Sequence, residues 1–516
     1  MTAKSKFKRK AMIPIFACII VATSVFPACE KHEVATSEEM IISEETALRE
    51  YKEILTIPRT GKSYPEEINR YIERRVDEMG YSAETDTSGN IIVDIPPALG
   101  AEDLPLVILQ CRTDDAIESS RGLLFDAESD GVSPDLYRDD GTIRANGVSM
   151  GASGAVGIAT ALCVMDADQW HGSLRVIFTS GVNGDMSGAK RLNPDYLNGQ
   201  VLINLNGTKL GEVGIGAPFA ATFSGERELQ SSDTQGRRAH VLAASGFPKN
   251  RMLTDEDEPQ INPAEILAEI LMTAKSGGII YDLCNFSGGT DALRIPSEAT
   301  AIIVLNDYEE RKFLQIFESA AKEYRNDVGD GVNIEMIETV VPEKCVSNDD
   351  ASNVLTFLFG LLSADFSTDK GDKAGDLFIN RADLSPDHFT CEISVAGIDE
   401  DTVNRIIAEQ SNIEKLSGIP IEETRRIPGF STSEDSENLQ YLLKSYEKIL
   451  GDECRLKKRS DVDELGYLRE KNPEQDIMSV GITIEGKDTI GESIDRDALA
   501  IPANAILEYL TSSHKR

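Results

Sequence analysis

The stretch VILQCRTDDA (residues 107–116) runs apolar from Val107 and then breaks into charge at Arg112, Asp114 and Asp115. A short apolar run that ends in polar residues reads as a buried strand delivering side chains to a site at its carboxyl end, as open α/β sheets do. The neighbouring runs NIIVDI, SLRVIFT and QVLINL have the same texture, and the helix-like GAVGIATALCVM falls between VILQCRTDDA and SLRVIFT. This alternation predicts a mostly parallel sheet in α/β layers. Upstream, Ser63 and Glu66 predict a capping box, followed by a helix with Ile68, Tyr71, Ile72, Val76 and Met79 on one face, ending at Gly80.

The texture changes near Ala217. A low-pattern acidic stretch at 224–260 leads into the helix NPAEILAEILMTA, opened by Asn262 with Pro263 behind it. EATAIIVLN, YEERKFLQIFESAAKEY and GVNIEMIETV then predict one β-α-β group; HFTCEISV, DEDTVNRIIAEQSNIEKL and IPIEETRRI predict a second, so the inserted region reads as an α+β lid of two ferredoxin-like units. After PGFSTSEDS, a helix, a strand near ECRLKK, the strand DIMSVGI and a last helix around ANAILEYL return the chain to the first sheet. The expected divisions are 1–28 signal peptide, 29–44 tether, 45–216 first part of the α/β domain, 217–427 lid and 428–512 second part.

A chain of 516 residues is too long for one ordinary core, and 41% hydrophobic with 27% charged residues suits a globular protein. Lys4, Lys6, Lys8, Arg9 and Lys10 precede an apolar run from Ala11 to Phe26, the pattern of an export signal. FPACEK resembles a bacterial lipoprotein box with Cys29 as the acylated residue, although Phe26 and Pro27 depart from that pattern; cleavage after Ala28 without acylation is the competing expectation. The expected location is therefore the cell envelope, with membrane contact only through a lipid anchor. Formal charge is −36, which argues against nucleic acid as a partner. Beyond Cys18 and Cys29, six cysteines (Cys111, Cys163, Cys284, Cys345, Cys391 and Cys454) show no CxxC spacing, so buried thiols are expected, and export would permit a disulfide.

Taken with this order of elements, the strings ILTIPR, GNIIV, VILQCRTDDA, DGTIRANGVSMGASGAVGIATAL, HGSLRVIFTSGVNGDMSGAK, VLINLNG, GGTDALRIPSEA and MSVGITIEGKDTIGESID resemble the aminoacyl-histidine dipeptidases over residues 45–512. These belong to the zinc aminoacylase and carnosinase peptidase superfamily. The resemblance implies a zinc-exopeptidase-like domain with a two-unit lid, two zinc ions, a glutamate base, dipeptide substrates and homodimers formed through the lid. It also places the family's site residues. The first histidine ligand falls on Arg112 and its supporting aspartate on Asp114. The bridging aspartate falls on Ser153, the paired glutamates on Ser180 and Gly181, the fourth-strand aspartate on Asn206, and the C-terminal histidine on Asp488. In the lid, a histidine position falls around Lys249 and an asparagine position on Leu293.

Only Asp114 keeps its type, so no catalytic or metal-binding residue is expected, and no cofactor. Arg112 is expected to pair with Asp114 or Asp115 and to repel a zinc ion. His171, His240 and His388 are expected in surface or core roles, away from a metal. The chain thus reads as an exported dipeptidase-like protein with a dismantled metal site, serving peptide binding or structure. A competing reading is an active metal-dependent dipeptidase with ligands relocated to Asp114, Asp115, Asp185 and Asp488, which would suit hard cations better than zinc. A third takes GASGA around Ser153 as a worn nucleophile elbow, with Ala155 in place of the last glycine.

Overall fold

The computed structural model describes residues 40–512 except 60–63, 116–140, 146, 182–184, 248–260, 290–294, 329–330, 362–365, 368–372, 459–461 and 488. Cys29, Ser63, Lys249, Leu293 and Asp488 lie outside the described residues.

Four parallel strands form the middle of the first sheet, in the order Leu174–Thr179, Val107–Arg112, Val201–Gly207 and Asp476–Gly481. Their side chains are buried on both faces, which explains runs of apolar residues with no alternation. Ile91–Ile95 and Ala83–Thr85 extend the sheet antiparallel at one edge, and Glu212–Ala217, with Phe430–Ser431 and Arg455–Lys458 beside it, extends it at the other. One face packs on the helix Ala152–Asp166, in which every residue from Ala152 to Met165 is buried. A helix apolar on all sides is a core helix. Glu44–Leu55 and Ile501–Ser512 in turn cover it, and Glu437–Leu450 packs beside the last of these.

The helix Glu66–Glu78 buries Ile68, Tyr71, Ile72 and Val76 as its periodicity predicts; the expected capping box rests on Ser63, which lies outside the described residues. Pro65 occupies the N-cap, and no side-chain hydrogen bond closes that end.

The second sheet is antiparallel throughout. Its strand order is Asn333–Thr339, Arg238–Ser245, Ala299–Leu305, Tyr281–Gly288, Lys373–Leu384, His388–Gly397, Phe219–Glu228 and Ile421–Ile427. Two four-strand halves lie side by side, each running β-α-β-β-α-β along the chain. The inner half spans Arg238 to Thr339 and is inserted after Phe219–Glu228, the first strand of the outer half. The described part of the acidic stretch at 224–260 therefore holds the end of Phe219–Glu228 and the strands Ser231–Asp233 and Arg238–Ser245, which its pattern did not announce. In Arg238–Ser245 the helix-covered core takes Leu242 and Ala244 while Ala239 is buried on the opposite face, side chains too small and too few to stand out against polar neighbours. The helices Pro263–Ser276, Asp307–Val328, Asn348–Gly360 and Glu400–Ser417 pack into the lid core. Asn262 caps the first of them as expected, its side chain accepting from Ala264 N at 3.0 Å.

Lid and main sheet share one apolar cluster. Ala220, Phe378, Ala396 and Ile427 of the lid meet Ile108, Ile177, Leu202 and Ile477 of the parallel strands.

Candidate functional site

The parallel strands deliver their carboxyl ends to the N-terminus of the Ala152–Asp166 helix, and the positions singled out in the sequence gather there. Arg112 ends its strand: its backbone N–H donates to Asn206 Oδ1 at 2.9 Å. Its guanidinium, 33% exposed, comes within 3.7 Å of Asp115 Oδ1. Asn206 closes a reciprocal pair with Ser153, its amide donating to Ser153 O at 2.9 Å while Ser153 Oγ donates to Asn206 O at 3.3 Å. Behind them Asn204 donates to Gln110 Oε1 at 2.8 Å. Ser180 N donates to Asn90 Oδ1 at 2.9 Å, and Ser180 Oγ donates to Ser88 O. Gly181 N donates to Tyr64 Oη at 2.9 Å, and that hydroxyl also meets Thr113 Oγ1 at 2.9 Å. The Asp114 carboxylate lies over Gly181, where an added Cβ would stand 3.0 Å from Asp114 Oδ2.

Three charged residues that the sequence did not single out hold this region together. Arg59 is buried and ion-paired with Asp115, and it also donates to Gly151 O at 2.9 Å and Met150 O at 2.8 Å. Gly154 N donates to the same Asp115 carboxylate at 3.1 Å. Burial pushes the Asp115 carboxyl up, and the Arg59 and Arg112 guanidiniums draw it back down. Glu492, also buried, accepts from Met150 N at 2.6 Å. Gly151 is held at φ 62°, and a side chain there would place its Cβ 2.6 Å from Asp115 Cβ. Arg59 stands in the string ILTIPR and Glu492 in DTIGESID, but their partners are far away in sequence, so local pattern carries no sign of either pairing.

The third is Glu464, fully enclosed beneath the strand ends. Gln110 Nε2 donates to Glu464 Oε1 at 2.6 Å and Thr179 Oγ1 to the same oxygen at 2.7 Å. Burial, with Asp463 and Asp114 adding to it, pushes this carboxyl up to about 7; the Thr179 hydrogen bond and Arg112 act the other way. A carboxyl raised in the folded state binds a proton there that the unfolded chain has already lost. Its contribution is complete below the ordinary carboxylate range and is lost as pH rises through about 7. Stability is thus expected to fall from pH 5 to pH 8, and Glu464→Gln to remove part of that slope, on the order of a few kcal/mol. Urea unfolding midpoints of both proteins across that range provide the measurement. Parallel pH profiles for the two would show that Glu464 does not titrate as described.

These residues do not fit a pair of zinc ions. A guanidinium has no lone pair to give a metal, and the other described positions offer two hydroxyls, one amide, a glycine and a carboxylate in place of the imidazoles and clustered acids the resemblance implies. Among the described residues no group of three or more His, Cys, Asp and Glu could hold a metal ion. The relocated set is not assembled either. Asp115 is committed to Arg59, Asp185 is exposed with its carbonyl accepting from Arg425 at 3.1 Å, and Asp488 is not described. Nor, among the described residues, does Ser153 have an imidazole beside it. His171 Nδ1 is 2.6 Å from Gly172 O, His240 Nε2 is 3.0 Å from Glu310, and His388 Nε2 is 2.9 Å from Glu226.

No family model matches the chain. It is 23% identical over 457 residues to the cytosol non-specific dipeptidase of Escherichia coli strain K12, covering 86% of this chain and 92% of that protein. In structure it superposes on an aminoacylhistidine dipeptidase from Vibrio alginolyticus with a TM-score of 0.72 and 20% identity, over 91% of this chain and 97% of the other. The chain has the aminoacylhistidine dipeptidase fold. A tripeptidase from Staphylococcus aureus matches less closely, with a TM-score of 0.54 at 14% identity over 92% of this chain and all of that one. An α/β domain carrying a separate sheet-built lid is therefore a peptidase-type architecture. In this dipeptidase fold the strand ends are joined by hydrogen bonds and ion pairs, and the described residues hold no metal-binding cluster.

Proposed function

We propose that this chain is a noncatalytic relative of the zinc dipeptidases, exported and held at the membrane by a lipid on Cys29, whose cleft serves peptide binding or structure. The wiring of the cleft supports it: Arg112, Ser153, Ser180, Gly181 and Asn206 stand at the metal-ligand and base positions implied by the resemblance, and each is engaged by hydrogen bonds within the protein. A two-metal hydrolase needs a water polarised between cations and a carboxylate to take its proton. Neither the ligands nor the base are present at these positions. The same reading divides the chain at 29–44 (tether), 45–216 and 428–512 (peptidase-like domain) and 217–427 (lid), and treats the two halves of the lid sheet as ferredoxin-like units, one nested in the other.

The test uses full-length protein recovered from a bacterial membrane fraction. Mass analysis is expected to show an acylated Cys29 at the new N-terminus. Dialysis against Zn²⁺ or Mn²⁺ is expected to leave far less than one ion per chain, and dipeptides ending in histidine to go uncleaved. Stoichiometric metal accompanied by turnover would sink the noncatalytic reading; an unmodified Cys29 would sink the anchor.

A further inference from the structure

Two buried cysteines share one small cluster of the lid sheet, separate from its helix-covered core. Cys284 lies in the strand Tyr281–Gly288, at a β-bulge. Leu283 pairs with Ile303 and Asn285 with Ile302, so Cys284 is the extra residue. A bulge of this kind re-aims the side chain of its unpaired residue. Cys345 lies in the short strand Lys344–Val346, which pairs with Ser231–Asp233. Together the two cysteines form half of a small buried cluster whose other members are Ala239 and Val304. Cys284 is 3% exposed and Cys345 2%, and neither takes part in a disulfide in this structure. The other described cysteines belong elsewhere: Cys111 and Cys163 to the core of the first sheet, Cys391 to the helix-covered lid core, and Cys454 to the edge of the first.

We propose that Cys284 and Cys345 form a disulfide when the chain meets an oxidising thiol–disulfide couple. The sulfhydryls act on one another electrostatically, Cys345 adding to the burial that pushes Cys284 up to about 12. Burial, with Asp282 and Asp233 adding to it, raises the Cys345 thiol as well, and Lys344 acts the other way; either sulfur can attack first with the same product. With Cys345 leading, its sulfur attacks a small disulfide such as oxidised glutathione, forming a mixed disulfide and expelling one glutathione thiolate. The Cys284 thiolate then displaces the second. One S–S bond is broken and one formed, the two cysteines are oxidised, and their protons end on the two glutathiones released.

The new bond would join the inner half of the lid to the crossover that leads from Asn333–Thr339 back to the helix Asn348–Gly360. It would close the segment from 284 to 345 into a loop, restricting the unfolded chain far more than the folded one. This inference stands apart from the proposed function, because it concerns the lid alone.

The experiment incubates the folded, reduced full-length chain with oxidised glutathione in sub-denaturing urea, alkylates the remaining thiols and maps the peptides by mass. Expected are a Cys284–Cys345 linked pair and a rise of roughly 5 °C in unfolding midpoint over the reduced protein. The variants Cys284→Ala and Cys345→Ala, both conservative in a cluster that already holds alanine, should fold and lose the linked pair and the rise. Free alkylated thiols at both positions, single glutathione adducts as end products, or links to other cysteines would each overturn the proposal.

Discussion

Replacing Arg59 with methionine is expected to destabilise the fold by about 3–5 kcal/mol, since removing one partner strands the other in a buried site. The Asp115 side chain is 1% exposed and would keep only Arg112, at 3.7 Å, as a nearby cation. Met150 O and Gly151 O would also lose their shared donor. Protonation of Asp115 limits the loss, and since that becomes harder as pH rises, the deficit should grow from pH 5 to pH 8. A second change, Asp115→Leu, should recover part of the loss by removing the stranded charge, while the two carbonyls remain short of a donor. Urea unfolding followed by circular dichroism gives all three values. A single variant within about 1 kcal/mol of the wild type would mean that the pair is not the fastening described here.

The second large effect is expected at Gly154, where two opposing terms can be compared. In an exposed helix interior, glycine to alanine gains about 1 kcal/mol from backbone propensity. Here a Cβ would stand 2.2 Å from Asp115 Oδ2 and 3.2 Å from Arg59 Nη1. Neither neighbour can swing away, because both are buried and bonded to backbone on the same helix turn. Overpacking of this kind costs about 1–3 kcal/mol, and displacing a buried ion pair raises it further, so Gly154→Ala should lose about 2–3 kcal/mol in spite of its propensity. Combining it with Asp115→Ala removes the clash and should bring the two substitutions together closer to Asp115→Ala alone than additivity allows. Independent, additive losses in that cycle would contradict the contact.

The layer order was legible because the parallel strands are buried on both faces, leaving VILQC and VLINL as unbroken apolar runs. The Asn262 cap was legible for a similar local reason. Within the lid, small buried residues such as Ala239 on one face and Ala244 on the other hid a strand, and the helix Asn348–Gly360 and strand Lys373–Leu384 went unread in weakly patterned sequence. At the cleft, the resemblance sets Arg112 where the family would have an imidazole, and the proximity of Arg112 to Asp115 was anticipated. Asp115, however, belongs first to Arg59, 56 positions earlier, and Glu464 reaches Gln110 across 354 positions. Nothing in a local window encodes such pairings; they exist only once the sheet brings distant loops together.

The Arg59–Asp115 pair has a consequence for where such a chain can live. A scaffold whose strand ends are clamped by zinc inherits the ion's availability as a condition of its own integrity, and competes for it with every chelator around it. Here the clamp is encoded in the polypeptide and arrives with synthesis. On the noncatalytic reading proposed above, the fold would therefore persist in surroundings stripped of transition metals.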